Sequence, residues 1–106
     1  MKRVSNSKAR DFVNRAEEFQ GSNTFGKDYD DIYVVYSYGH HFPMYIYDKG
    51  QDRWIGNTDK YSQSTTRHQS LLHPSDNVEK WYGTESMKGI VACGSLLNYM
   101  INKAQH

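Results

Sequence analysis

Between Ile32 and Ile55 the chain reads IYVVYSYGHHFPMYIYDKGQDRWI, and no other stretch constrains the fold as much. β-Branched and aromatic side chains crowd a helix but suit the pleated surface of a strand. Alternation puts Ile32, Val34, Tyr36 and Tyr38 on one face and Tyr33, Val35 and Ser37 on the other. Gly39-His40-His41-Phe42 reads as a turn, and Pro43 opens the next strand, where a missing N–H is tolerated. Met44 to Asp48 is the second strand. Lys49-Gly50-Gln51-Asp52 is another tight turn, and Arg53-Trp54-Ile55 begins a third strand. Short strands joined by short turns predict a three-stranded antiparallel meander.

Helices are expected on either side. In SNSKARDFVNRAEEFQG, Ala9, Phe12, Val13, Ala16 and Phe19 keep the three-four spacing of one apolar stripe. Ser5 or Ser7 can cap its start, and Gly21 is a natural stop. GSNTFGKDYDD follows as a loop or a short ragged strand around Phe25. Ser75 to Gly83 reads as a polar loop anchored by Trp81 and Tyr82. TESMKGIVACGSLLNYMINKA reads as one long helix, capped by Thr84, with Glu85 in its first turn and Lys103 near its end. Gly89 and Gly94 within it suggest close approach of another backbone. The expected fold is therefore a single α+β domain over residues 1–106: a three-stranded antiparallel meander, an N-terminal and a C-terminal helix flanking it, and a short polar helix between.

The aromatic content shapes the functional expectation. Nine tyrosines outnumber four phenylalanines, and ten of the fifteen aromatic residues fall between Phe25 and Tyr61. Tyrosine offers a large contact area at small entropic cost, so an open sheet face carrying Tyr36, Tyr38, Tyr45 and Tyr47 would be a docking surface. The competing expectation is that a terminal helix covers each face.

Charge and cysteine content exclude some classes. Thirteen basic residues against twelve acidic ones leave a net charge of +1, without the strong basic excess of non-specific nucleic-acid binders. Cys93 is the single cysteine, which precludes an intrachain disulfide or a thiolate zinc site within one chain. It lies in the apolar run IVACGSLL, where a buried thiol is expected. MKRVSNSKAR lacks the apolar core of a signal peptide, and no apolar run approaches a membrane span. These features point to the cytoplasm.

NTDKYSQSTTRHQSLLHP breaks the alternation with five hydroxyl side chains (Ser62, Ser64, Thr65, Thr66 and Ser70) around Arg67 and His68. Ser64 or Thr65 can cap a short helix ending before Pro74, with Thr66, Arg67 and Ser70 in solvent and Leu71 and Leu72 on the sheet. The same helix start with Arg67 could hold an anion or a partner carboxylate. No glycine-rich loop precedes it, which excludes a Walker-type cradle. His40 and His41 are adjacent, and His68 and His73 are five apart, so neither pair has metal-chelating spacing. A nuclease built on His68 or His41 with Asp59 and Arg67 is conceivable on paper, yet every member has a simpler structural role. No cofactor or metal is expected.

YVVYSYGHHFPMYIYD, Trp54 and DKYSQSTTRHQSLLHP together resemble a family of small proteins encoded by bacteriophages and other mobile elements. These share a helix, a Tyr-rich hairpin leading to a Trp strand, and a Lys-Tyr-Ser-x-x-Thr-Thr-like segment followed by a basic residue and His. The matching positions here are Lys60, Tyr61, Ser62, Thr65, Thr66, Arg67 and His68, and the resemblance spans roughly residues 1–74. It implies an origin and supplies no mechanism. Phage accessory proteins of this size often bind and disable a host enzyme or defence complex, anti-CRISPR proteins among them. The leading expectation is therefore a non-enzymatic module that binds a host protein through Tyr36, Tyr38, His41, Tyr45, Tyr47 and the Lys60–His68 segment. A single-stranded or structured nucleic acid is the alternative partner, a His-dependent nuclease the third reading, and a homodimer is compatible with the two apolar stripes of the last helix.

Overall fold

A computed structural model describes residues 3–21, 23–60 and 63–104. It contains α1 (Asn6–Asn14), β1 (Phe19–Gln20), β2 (Thr24–Asp28), β3 (Ile32–Ser37), β4 (Pro43–Asp48), β5 (Arg53–Asn57), α2 (Gln63–Leu71), β6 (Val78–Tyr82), α3 (Thr84–Cys93) and α4 (Leu96–Ala104). The six strands form one sheet in the order β1-β2-β3-β4-β5-β6. All neighbours are antiparallel except β5 and β6, which run parallel with α2 as the crossover. The α+β class stands, but the three-stranded meander flanked by two helices does not. The meander is the centre of a larger mixed sheet.

Each missed element has a local cause. α1 stops at Asn14 and does not run to Gly21. Ala16 takes a left-handed φ of 53°, its N–H donates to the Val13 carbonyl, and the Glu17 N–H donates to the Phe12 carbonyl. That is a Schellman closure with alanine where glycine is usual. The chain then turns back, so Phe19 enters the core from β1, opposite Gly26, and not from the helical stripe. The segment expected to be a polar loop contributes β6. Its burial alternates only weakly, because an edge strand beside a half-covered face needs few apolar residues.

The long C-terminal helix is in fact a hairpin of two. Gly94 sits at φ 85° and its N–H closes the last turn of α3 onto Ile90 and Val91. Space explains Gly89 and conformation explains Gly94. A Cβ at Gly89 would lie 2.6 Å from the Tyr99 ring of α4, whereas nothing approaches Gly94 within 4 Å. Thr84 is the first helical residue and Gly83 holds the cap position.

Both sheet faces carry a core. On one, Ala9 and Val13 of α1 and Leu72 after α2 pack with Phe19, Tyr33, Val35, Met44, Tyr45 and Trp54. On the other, Met87 and Ile90 of α3 and Leu96 of α4 pack with Ile32, Val34, Tyr36, Ile46 and Ile55. The alternation read in β3 is correct, but both of its faces are buried along all six residues. No helix among the described residues is long and apolar enough to cross a membrane.

Candidate functional site

The tyrosines do not form an open face. Tyr33, Tyr36 and Tyr45 are at most 2% exposed. The Tyr33 hydroxyl donates to the Glu17 carbonyl at 2.7 Å and that of Tyr45 to the Gln69 carbonyl at 2.7 Å. Tyr36 and Tyr29 share a hydroxyl–hydroxyl bond of 2.8 Å. Burial pushes the Tyr45 phenol up to about 12 and raises those of Tyr33 and Tyr36 further. Tyr47 is half-buried and donates to Asp52, a bond that, with some burial, raises its phenol to about 12. Of Tyr36, Tyr38, Tyr45 and Tyr47, only Tyr38 is well exposed, at 43%. The phenols were surplus to an apolar core but not to a core with backbone carbonyls at its rim.

The hydroxyl-rich segment is largely structural. Thr65, His68 and Gln69 of α2 are buried, so Thr65 is an interior helical residue and not the cap. Leu72 is buried, but Leu71 points outward. Thr66 is half-buried and Arg67 is exposed, while Tyr61 and Ser62 lie outside the described residues. Gln69 Nε2 donates to the carbonyls of Asn57 (3.1 Å) and Asp59 (3.3 Å), and Asn57 Nδ2 to that of Pro43 (2.8 Å). These buried amides tie α2 to the ends of β4 and β5. Sequence reading passed over Asn57 and Gln69, whose polarity suggested solvent.

His68 Nδ1 lies 2.9 Å from Ser37 Oγ. Its ring also packs against Tyr38. Burial lowers its pKa from 6.5, and the charge of Arg67 adds to this. Ser37 itself is fully buried, so this hydroxyl–imidazole pair serves as an internal tie between β3 and α2. Among the described residues no group of three or more His, Cys, Asp or Glu is placed to hold a metal ion. Cys93 is half-buried at the end of α3, more open than its apolar run suggested.

Two features open to other molecules bear on the expected site. The first is a shallow hollow where the parallel strands β5 and β6 end, lined by His41, Phe42, Asp59, Lys60, Thr84 and Lys88. Crevices beyond the carboxyl ends of parallel strands are common ligand sites. Here Asp59 Oδ2 accepts the Thr84 amide at 2.8 Å, and this cap holds its carboxyl below the usual value of 3.8. Of the nuclease set, His41 and Asp59 meet in this hollow, whereas His68 is engaged with Ser37. The second feature is on α4. Leu97, Met100 and Ile101 are 55%, 45% and 49% exposed, while Leu96 on the opposite side is buried. Their i, i+3, i+4 spacing makes one outward apolar stripe. Comparison with protein-family models, curated proteins and solved structures finds no match to this chain.

Proposed function

We propose that the chain is a non-enzymatic binding protein that docks on another protein through the outer face of α4. The resemblance to small phage and mobile-element proteins suggests a host protein or defence complex as partner, and inhibition by contact in the host cytoplasm as the outcome. The observation that carries the protein-contact reading is the Leu97–Met100–Ile101 stripe. Three large apolar side chains side by side on one helix are the anchors used when a helix seats in a partner's groove. Tyr36 and Tyr45, which are buried, and Tyr47, whose hydroxyl is engaged with Asp52, are no longer part of this reading.

The test is a double variant, Leu97→Asp with Ile101→Asp. Both side chains are already in solvent, so the thermal midpoint should hold within a few degrees. A partner cross-linked in host lysate, then purified, should bind the natural chain and lose at least ~100-fold in affinity for the variant, which is about 2.8 kcal/mol. Undiminished binding by a folded variant rejects this face. If sedimentation shows a dimer that the same substitutions dissociate, the occupant is a second copy.

A further inference from the structure

The α3–α4 hairpin does not cover its sheet face from edge to edge. It rests on residues of β3, β4 and β5. On β2, Phe25 and Lys27 pair in register with Tyr36 and Val34 and so share that face, yet Phe25 is only half-buried and Lys27 is exposed. A hollow of about 390 Å³ opens there, with Phe25, Lys27, Glu18 and His40 in its lining. A second hollow of about 220 Å³ shares His40 and continues past Tyr36 to Lys88 and Val91 of α3. The hollow at the ends of β5 and β6 shares Lys88 in turn. Neighbouring hollows thus meet at a common residue, His40 and then Lys88, which outlines a groove along the β3–β4 turn and α3.

The lining of this groove has two chemical characters. Its floor is aromatic: the half-buried Phe25 and exposed His40 rings tilt together at 4.9 Å, and both rest on the buried Tyr36 ring, which Phe25 stacks on at 4.9 Å with planes 23° apart. Its rim is cationic. Lys27 and Lys88 have no ion-pair partner among the described residues, and Lys60 makes only a 3.5 Å contact to Gln69 Oε1. The two acids of the lining are turned to backbone amides, Glu18 to Asp28 at 2.9 Å and Asp59 to Thr84 at 2.8 Å. A cation would meet a lysine in each hollow, Lys27 in the first, Lys88 in the second and Lys60 with Lys88 in the third, and a bare phosphate would leave the rings unused. A ligand with a flat ring and an attached phosphate uses both, since lysine holds phosphate as a point charge and bases stack on exposed rings. The 390 Å³ hollow lies in the lower part of the roughly 300–1,000 Å³ range of small-ligand sites, and the 220 Å³ one extends it.

We infer that this groove binds a nucleoside phosphate, free or as a unit of a single strand, with the base against Phe25 and His40 and the phosphate at Lys88. The site is separate from the α4 stripe, and each can fail without the other.

Adenosine 5′-monophosphate, adenosine, ribose 5-phosphate and a short oligothymidylate are the probes, followed by calorimetry and amide chemical shifts. The monophosphate should shift the amides of Phe25, His40 and Lys88 and bind at least ~10-fold tighter than adenosine or ribose 5-phosphate. Lys88→Glu should weaken the monophosphate about tenfold, and Phe25→Leu should weaken monophosphate and adenosine but not ribose 5-phosphate. Leu97→Asp should change none of these. An oligothymidylate that binds more tightly than the monophosphate, with steep salt dependence, assigns the groove to single strands; one that binds no tighter assigns it to free nucleotides. The inference is overturned if neither the monophosphate nor the oligothymidylate binds at millimolar concentration. It is equally overturned if ribose 5-phosphate binds as well as the monophosphate, or if a folded Lys88→Glu variant binds as the natural chain does.

Discussion

The indole of Trp81 lies against the backbone of Gly56, across the parallel β5–β6 pair. A Cβ at Gly56 would fall 2.5 Å from Trp81 Cζ3. Register places Gly56 opposite Trp81 in the β5–β6 pair. Gly56→Ala must therefore push the ring outward from Tyr45 and His73, whose rings lie 6.4 and 6.2 Å away. Trp81 is already 47% exposed and has room to move, so the expected cost is about 1–3 kcal/mol, the range of overpacking. Tryptophan emission should shift to the red and the urea midpoint should fall. An unchanged midpoint would mean that the indole does not occupy that face of Gly56.

Asp59 closes the open start of α3 from a distant point in the chain. Its carboxylate accepts from the backbone and the side chain of Thr84, which together lower its pKa. A carboxyl with a depressed folded pKa stabilises the fold above its unfolded value and loses that contribution as pH drops through the folded one. Asp59→Ala should therefore lower the thermal midpoint at neutral pH. The gap between variant and natural chain should close as the pH falls below 3.8, the ordinary carboxyl value. Midpoints measured from pH 7 downward give both curves, and a gap that persists in strong acid would assign the loss to something other than the charged cap.

His68 also loses stability on acidification, but because the fold favours its neutral form. Burial and then Arg67 depress its pKa, so the folded chain resists the proton that the unfolded chain accepts at its ordinary value of 6.5. Stability at this position is full above 6.5 and declines as pH falls from there toward the folded value. Replacing it by Gln keeps a hydrogen-bonding group near Ser37 and removes the titration. Natural chain and His68→Gln should then differ most in their slopes of stability as pH falls below 6.5. Parallel slopes would show that the imidazole is already hydrated in the folded state.

The meander was legible because β3, β4 and β5 alternate, turn on Gly39–Phe42 and Lys49–Asp52, and carry residues that only strands bury well. β2, expected as a loop or a short ragged strand around Phe25, is a full five-residue strand. β6 was hidden because VEKWY sets two charged residues, Glu79 and Lys80, side by side, which breaks a strand alternation, and sits between segments that read as loop. The tyrosine surplus misled for a physical reason. Tyr33 and Tyr45 each reach a backbone carbonyl at the core boundary, and Tyr36 reaches another phenol, so burial carries no unsatisfied hydroxyl. The exposed stripe of α4 was visible as periodicity, but which half of the helix faces outward depends on the break at Gly94. The groove could not be read at all, since its lining comes from β1, β2, the β3–β4 turn and α3.

Ala16 and Gly94 end helices in the same left-handed conformation with unequal chemistry. Their φ angles are 53° and 85°. An L-residue there brings Cβ against the carbonyl oxygen at about 1–2 kcal/mol, while glycine has no such contact but loses more backbone entropy on folding, about 0.5–1 kcal/mol. The difference predicts that Ala16→Gly raises stability by about 0.5–1 kcal/mol. Gly94→Ala lowers it by a similar amount, because nothing surrounds Gly94 within 4 Å and only backbone strain is added. Chemical denaturation of the two single variants measures both signs with an unchanged slope. A loss of stability in Ala16→Gly would mean that α1 continues past Asn14, as its apolar stripe through Phe19 implies, and would remove β1 from the edge of the sheet.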